Sequence, residues 1–159
     1  MKKQRILAVF AVCLCALLLA LRFLPTGTLT AFSYESGHAW SGNSGWEIMQ
    51  TEDGPQAVYF YEPGMMSEAE EAPWSVSLPL SGDQMDEISD IVLRQLKLPL
   101  WPDLLMAPDA PTDMDGWSIT FTWNGHTYKK AGYDRFPSGL KRVTGFFRAL
   151  PFPNAPENG

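Results

Sequence analysis

An Asn-Gly pair between two alternating segments constrains this chain more than any other feature of its sequence. Apolar residues occupy every second position from Trp117 to Trp123, with Ser or Thr between them. This period of two predicts a half-buried strand. Asn124-Gly125 follows directly and suits a two-residue type I′ turn, which needs positive φ at both central positions. A second strand should therefore return from His126, opposite Trp123.

The same register predicts two further cross-strand pairs in this hairpin. Phe121 should face Tyr128, and Ile119 should face Lys130. Aromatic cross-strand pairs contribute roughly 0.2–1 kcal/mol each.

A closing helix is predicted after Pro137, with Ser138 as its N-cap. Its apolar residues at helical spacing are Leu140, Val143, Phe146, Phe147 and Leu150. Gly145 weakens this helix by about 1 kcal/mol relative to Ala, and Pro151 should end it. The helix should therefore depend on docking to the hairpin.

Four more strands are expected upstream of the hairpin. They are predicted at 30–40, 46–51, 56–62 and 74–80, the first three forming an antiparallel meander. Composition predicts a turn at Ser41–Gly45. Pro79 places the fourth strand at a sheet edge or a strand end.

A second helix is predicted over Ser81–Lys97. Ser81 and Gln84 form a capping-box pattern at its start. Its buried stripe should be Met85, Ile88, Val92 and Leu96, with Ile91 beside it. Pro99 ends the pattern, and the Pro-rich segment 98–112 reads as irregular.

These elements predict an α+β fold. We expect an antiparallel sheet of about six strands (meander, edge strand and late hairpin) with two helices packed on one face. An N-terminal transmembrane or signal helix should precede it. The predicted division is 1–24 signal anchor or signal peptide, 25–30 linker, 31–150 extracytoplasmic domain and 151–159 flexible tail.

The amino terminus predicts a membrane location. Lys2, Lys3 and Arg5 precede an uninterrupted apolar run from Ile6 to Leu21, which is typical of an export signal or a signal anchor. The positive end should stay in the cytoplasm, with residues 6–24 contacting the membrane and the domain outside. The run of 16 residues, or 19 to Leu24, lies between a signal core of about 7–15 residues and a span of about 20.

Retention and cleavage therefore both remain open. Residues 29–31, Leu-Thr-Ala, form a passable cleavage site, which would make the protein secreted. Cys13 and Cys15 lie inside the apolar run and are the only cysteines. The exported part therefore has no disulfide and no thiol chemistry.

Charge argues against a nucleic-acid partner. Four of the 12 basic residues precede Ala31, which leaves eight against 18 acidic residues, a net charge of −10. Phosphate backbones require positive charge.

The sequence assigns no catalytic residue, metal site or cofactor. The two histidines, His38 and His126, stand 88 residues apart without a cysteine between them, whereas zinc sites need His and Cys at close spacing. Neither Gly-x-Ser-x-Gly nor Ser-x-x-Lys is present. An envelope hydrolase that pairs one of these histidines with a Ser or a carboxylate is the alternative, with Glu35 and Glu62 as the carboxylates to inspect.

Aromatic residues are the most abundant candidates for a binding role. Trp40, Trp123, His126 and Tyr128 lie at or near polar turns and are the predicted ligand-binding residues. Exposed aromatic rings stack on sugars or bind proline-rich peptides, so we expect a cell-envelope polymer or protein as partner. The competing interpretation places these tryptophans in the core beneath the helices.

The chain resembles small exported or membrane-anchored bacterial domains of unknown function. The resemblance lies in Ser81–Trp101 and in Asp115-Gly116-Trp117 through Pro137 to Leu150, about a third of the chain. It implies a meander followed by a capped helix, a late hairpin and a closing helix, outside the membrane. It implies no particular activity.

Overall fold

The computed structural model describes residues 27–38, 40–66, 72–106, 115–133 and 136–153. These residues form a mixed α+β fold with a seven-stranded, mostly antiparallel sheet and two α-helices. The predicted membrane segment 1–24 lies outside the described residues, as does most of the predicted tail. Within the described ranges, no helix is long and apolar enough to cross a membrane.

The sheet has one strand more than predicted. Its strands are β1 Leu29–His38, β2 Gly42–Thr51, β3 Gly54–Pro63, β4 Trp74–Pro79, β5 Leu104–Met106, β6 Gly116–Trp123 and β7 His126–Tyr133. They lie in the order β4-β3-β2-β1-β6-β7-β5, and only the β5–β7 pair is parallel. The additional strand, β5, lies inside the segment predicted to be irregular. It is too short to show a period of two and gains its hydrogen bonds from a strand about 25 residues further along the chain.

The hairpin has the predicted register. Trp123 faces His126, Phe121 faces Tyr128 and Ile119 faces Lys130. Asn124 and Gly125 both have positive φ, 50° and 76°. The turn chemistry therefore set the register of β6 and β7, as expected from the sequence.

The predicted turn at Ser41–Gly45 is wrong. The chain turns at Trp40 and Ser41, and the glycines that follow belong to β2. A Cβ at Gly45 would collide with the Tyr34 carbonyl oxygen of β1 and would also lie 2.8 Å from Cζ of Phe60, its partner on β3. This glycine therefore leaves room for an aromatic ring, which composition alone cannot distinguish from a turn.

The same arrangement recurs on the β6–β7 hairpin. Gly132 faces Trp117, and a Cβ there would approach the indole to 2.6 Å. Gly116 faces Tyr133, whose ring would lie 3.3 Å from an added Cβ. Aromatic rings that cover strand glycines supply the packing that glycine lacks.

The first helical segment begins as predicted and then changes geometry. α1 spans Gly82–Ser89, with Ser81 and Gln84 making both capping-box hydrogen bonds. A π-helical segment, Asp90–Gln95, continues it, and the Leu96 N–H donates to the Ile91 carbonyl five residues back at 2.9 Å. The wider turn rotates the buried stripe. Leu93, absent from the predicted stripe, is consequently buried.

The closing helix depends on docking. α2 spans Leu140–Arg148, and Gly139 is its N-cap without a side-chain hydrogen bond, so the prediction of Ser138 as N-cap is wrong. Phe147 stacks on Phe32 at 5.8 Å and on Trp46 at 5.6 Å between ring centroids. α1, its π-helical extension and α2 share one core with the buried residues of β1, β2, β3 and β6, which occupy one face of the sheet.

A buried lysine holds the segment after the π-helix. Lys130 is only 4% exposed, and its ammonium donates to the Trp101 carbonyl and to Asp103 Oδ1, each at 2.7 Å. The Trp101 indole N–H in turn donates to the Leu96 carbonyl at 2.8 Å. The aliphatic stem of Lys130 is thus buried while its charged end reaches the exposed Asp103. This contact positions β5 beside β7.

Different turns and loops lie at the two ends of the sheet, which we call the entry end and the far end. The entry end, where the described chain begins, carries Gly27, the Glu52–Asp53 turn and the Asn124–Gly125 turn. The far end carries the Trp40–Ser41 turn and the chain that follows β3. The ten residues of β1 separate the two ends by about 30 Å, at roughly 3.3 Å per residue.

Replacing Gly132 by Ala should destabilise the fold by about 1–3 kcal/mol, because the new methyl group overlaps the Trp117 indole. Gly145→Ala is the matched control. A Cβ there meets open space, and the change should stabilise α2 by about 1 kcal/mol. Urea unfolding followed by tryptophan fluorescence measures both. Equal stability of the two variants would contradict the packing of Trp117 on Gly132.

Lys130→Ala should lower the free energy of unfolding by about 1–3 kcal/mol, because it removes a buried stem and a hydrogen bond to a carbonyl. Asp103→Asn should change it little, since that carboxylate is 89% exposed and its ion pair is screened by water. Urea midpoints compare the two variants. Equal losses would mean that the ion pair, and not the buried stem, holds this segment.

Candidate functional site

Three of the four predicted binding residues lie together at the entry end. Trp123, His126 and Tyr128 share the helix-bearing face of the hairpin. The rings of Trp123 and Tyr128 are 6.1 Å apart, and Tyr128 also stacks on Phe121 at 5.1 Å. Trp123 and Tyr128 are half-buried against the core, whereas His126 is exposed. Of the trio, His126 is therefore the most accessible to a partner, and Trp123 and Tyr128 are partly covered.

Trp40 lies at the opposite end of the sheet. It follows β1, whereas Trp123 pairs with Leu29 at the start of that strand. Its backbone N–H donates to His38 Nδ1 at 3.2 Å, and its side chain is 45% exposed. The structure therefore does not bring the four predicted residues into a single site.

Trp40 instead belongs to an exposed apolar surface at the far end. We call this surface the far-end patch; it comprises Trp40, Tyr61, Met65, Met66 and Trp74. The two methionines are 80% and 74% exposed, and Trp74 is 39% exposed. Large exposed apolar surfaces of this type mark interaction sites.

Hydrogen bonds and ring contacts hold the far-end patch together. The Met66 N–H donates to the Trp40 carbonyl at 2.9 Å, and the Tyr61 hydroxyl donates to the Ser41 carbonyl at 3.4 Å. Tyr61 and Trp74 lie 6.2 Å apart between ring centroids. The loop after β3, the turn after β1 and the edge strand β4 thus contribute to one surface.

The sequence indicated only one member of this patch. Trp74 alternates with other apolar residues and looks like an ordinary core residue, and the two methionines show no periodicity. A usable signal was present in Pro63-Gly64-Met65-Met66. Two adjacent long apolar side chains directly after a Pro-Gly pair cannot both point into a core from a turn.

The tryptophans divide between core and surface. Trp117 is buried, Trp46, Trp101 and Trp123 are half-buried, and Trp40 and Trp74 are exposed. The competing interpretation, which places the candidate tryptophans beneath the helices, is therefore wrong for Trp40.

Two small cavities adjoin the helices in the described part of the chain. One, about 270 Å³, is lined at the entry end by Gly27, Thr28, Asp86, Ser89, Asp90, Leu93 and Arg94. The other, about 260 Å³, lies between the two helical segments and is lined by Gln84, Glu87, Ile91, Arg142, Gly145, Phe146, Ala149 and Leu150. Both are below the roughly 300–1,000 Å³ typical of small-molecule pockets.

Two exposed acidic residues of the described chain lie at the same end of the sheet as the far-end patch. Glu62 precedes the loop that carries the two methionines and is exposed, and Asp115, also exposed, precedes β6 at the same end of the sheet. A partner that is neutral or basic suits such a surface. In the described ranges, no group of three or more His, Cys, Asp or Glu residues lies close enough to hold a metal ion.

No protein-family model matches the chain, and no curated protein sequence is significantly similar to it. The comparisons therefore assign no function to this surface.

Proposed function

We propose that this chain is a membrane-anchored extracytoplasmic domain that binds a protein partner at the cell envelope. Residues 6–24 hold it in the membrane, with Lys2, Lys3 and Arg5 on the cytoplasmic side. The folded domain, which begins with β1 at Leu29, lies outside. The far-end patch is the observation that carries the binding role.

The composition of the far-end patch supports a protein partner over a polymer. Trp, Tyr and Met are enriched in the centres of protein interfaces. Flexible methionines adapt to the side chains of a partner, whereas sugar recognition combines aromatic rings with convergent polar groups. An envelope polymer remains the second candidate, favoured by the exposed indoles of Trp40 and Trp74.

The start of β1 supports retention of the amino-terminal segment. Cleavage after Ala31 would remove Leu29, which is 2% exposed and packs in the core. It would also remove Thr30, whose hydroxyl donates to the Thr122 carbonyl at 3.2 Å. Processing at this site would shorten the central strand of the sheet, so we favour an anchor over a secreted form.

The hydrolase alternative has less support. His38 Nδ1 accepts the Trp40 backbone N–H and so helps to form the turn after β1. His126 is exposed at the hairpin and faces Trp123. Neither position favours a general base held in a cleft.

Asp53→Cys in a Cys13→Ala, Cys15→Ala background should react with a membrane-impermeant maleimide in intact cells, because Asp53 lies in an exposed turn of a domain placed outside. The protein should fractionate with membranes at its full mass. Labelling only after lysis would contradict an external domain. A mass lower by about 30 residues would contradict retention of the anchor.

A photo-crosslinking amino acid at Trp40 or Met65 of the full chain should give a discrete protein adduct in the native cells, because both side chains are exposed in the far-end patch. Met49 is the matched control: it is 40% exposed and lies on β2, outside the patch. A protease-resistant adduct would show a polymer partner instead. Equal adducts from Met49 would contradict the patch as the binding surface.

A further inference from the structure

The chain enters the domain against the tip of the β6–β7 hairpin. Gly27 has φ of 114°, and a Cβ added there would collide with Asn124 Oδ1 and lie 3.1 Å from Trp123 Nε1. Two residues later, the Leu29 N–H donates to Ser89 Oγ at 3.4 Å. The entry point is thus fixed against both the hairpin and the first helical layer.

A short stretch of chain separates this entry point from the apolar run. Only Pro25 and Thr26 stand between Leu24 and Gly27. Fully extended, three residue steps span about 10 Å. The sheet itself is about 30 Å long. The tether is therefore much shorter than the domain that it carries.

The surface at the entry end suits lipid headgroups. Thr28, Asn124, Gly125 and His126 are exposed there, and all are small or polar. The rings of Trp123 and Tyr128 lie behind them, half-buried, and Trp and Tyr favour the membrane–water interface. The polar groups of these residues can form hydrogen bonds with lipid headgroups, and no side chain needs to enter the hydrocarbon core.

The charges at this end restrict the headgroups that it can meet. The Glu52–Asp53 turn is exposed, and Asp86 and Asp90 line the cavity beside Gly27. Arg94 is the basic residue of that cavity lining. An acidic surface of this type is repelled by anionic lipids, so the fitting lipid surface is a zwitterionic one.

We infer that the entry end rests against zwitterionic lipid headgroups through Gly27, Thr28 and the Asn124–His126 turn, while the far-end patch points away from the bilayer. This inference rests on the proposed membrane anchor. It assigns Trp123, His126 and Tyr128 to the membrane surface and reserves the far-end patch for the protein partner.

Depth-dependent quenching tests the orientation. The full chain, with Cys13→Ala and Cys15→Ala, is placed in phosphatidylcholine vesicles that contain a headgroup nitroxide lipid. A bimane fluorophore is attached at His126→Cys or, as the matched control, at Ser41→Cys, an exposed residue of the far end. We expect the nitroxide to quench bimane several-fold more strongly at position 126 than at position 41. Flotation of the same samples reports anchoring independently.

The possible outcomes separate the two proposals. Chains that float with the vesicles and show quenching confined to position 126 support the inference. If the chains float and the nitroxide quenches positions 126 and 41 equally, the domain lies flat on the bilayer. If the chains float and neither position is quenched, the domain stands away from the bilayer. Both results overturn the orientation and leave the anchor intact. Failure of the full chain to float overturns the membrane anchor, and the orientation with it.

Discussion

The stacking of Phe147 on Phe32 and Trp46 is the contact on which the second layer of this fold depends. α2 has nine residues, no side-chain cap and an internal glycine, Gly145. Isolated helices shorter than about 12–15 residues are marginal in water. The helix therefore persists because its aromatic ring packs against the middle of the sheet.

β1 positions Phe32 for its contact with Phe147. It pairs with β2 on one side and β6 on the other, so Phe32 faces Ile48 and Phe121 across both neighbours. A strand flanked on both sides cannot shift its register without moving two hairpins. Because Leu29 begins this strand inside the core, the path of the amino terminus is tied to the most constrained element of the domain.

Local chemistry made part of this fold predictable. The Asn124–Gly125 turn fixed a hairpin register, and Ser81 with Gln84 fixed the start of α1, because each feature acts within a few residues of its own position. The sequence did not predict the elements whose structure depends on residues far away in the chain. β5 exists through its pairing with β7, and Gly45 belongs to a strand because it pairs with Glu35 on β1 and with Phe60 on β3.

The candidate site was harder to predict, because alternation shows which face of a strand a residue occupies but not how far the covering layer extends. Trp117 and Trp74 both lie on the helix-bearing face. Trp101 packs edge-on against Trp117, which is buried, whereas Trp74 stays 39% exposed at the sheet edge. The incomplete cover leaves Trp74 exposed in the far-end patch.

The proposed anchor and the proposed binding surface lie at opposite ends of the domain, separated by the length of β1. A single strand of ten residues begins beside the hairpin that the tether reaches and ends at the turn that carries Trp40. If the proposed anchor holds, a binding surface near Gly27 would compete with the bilayer for the same space. Under the same proposal, a surface about 30 Å away leaves room for a protein partner, so the distance between Trp40 and the Trp123–His126–Tyr128 group is compatible with an anchored binding domain.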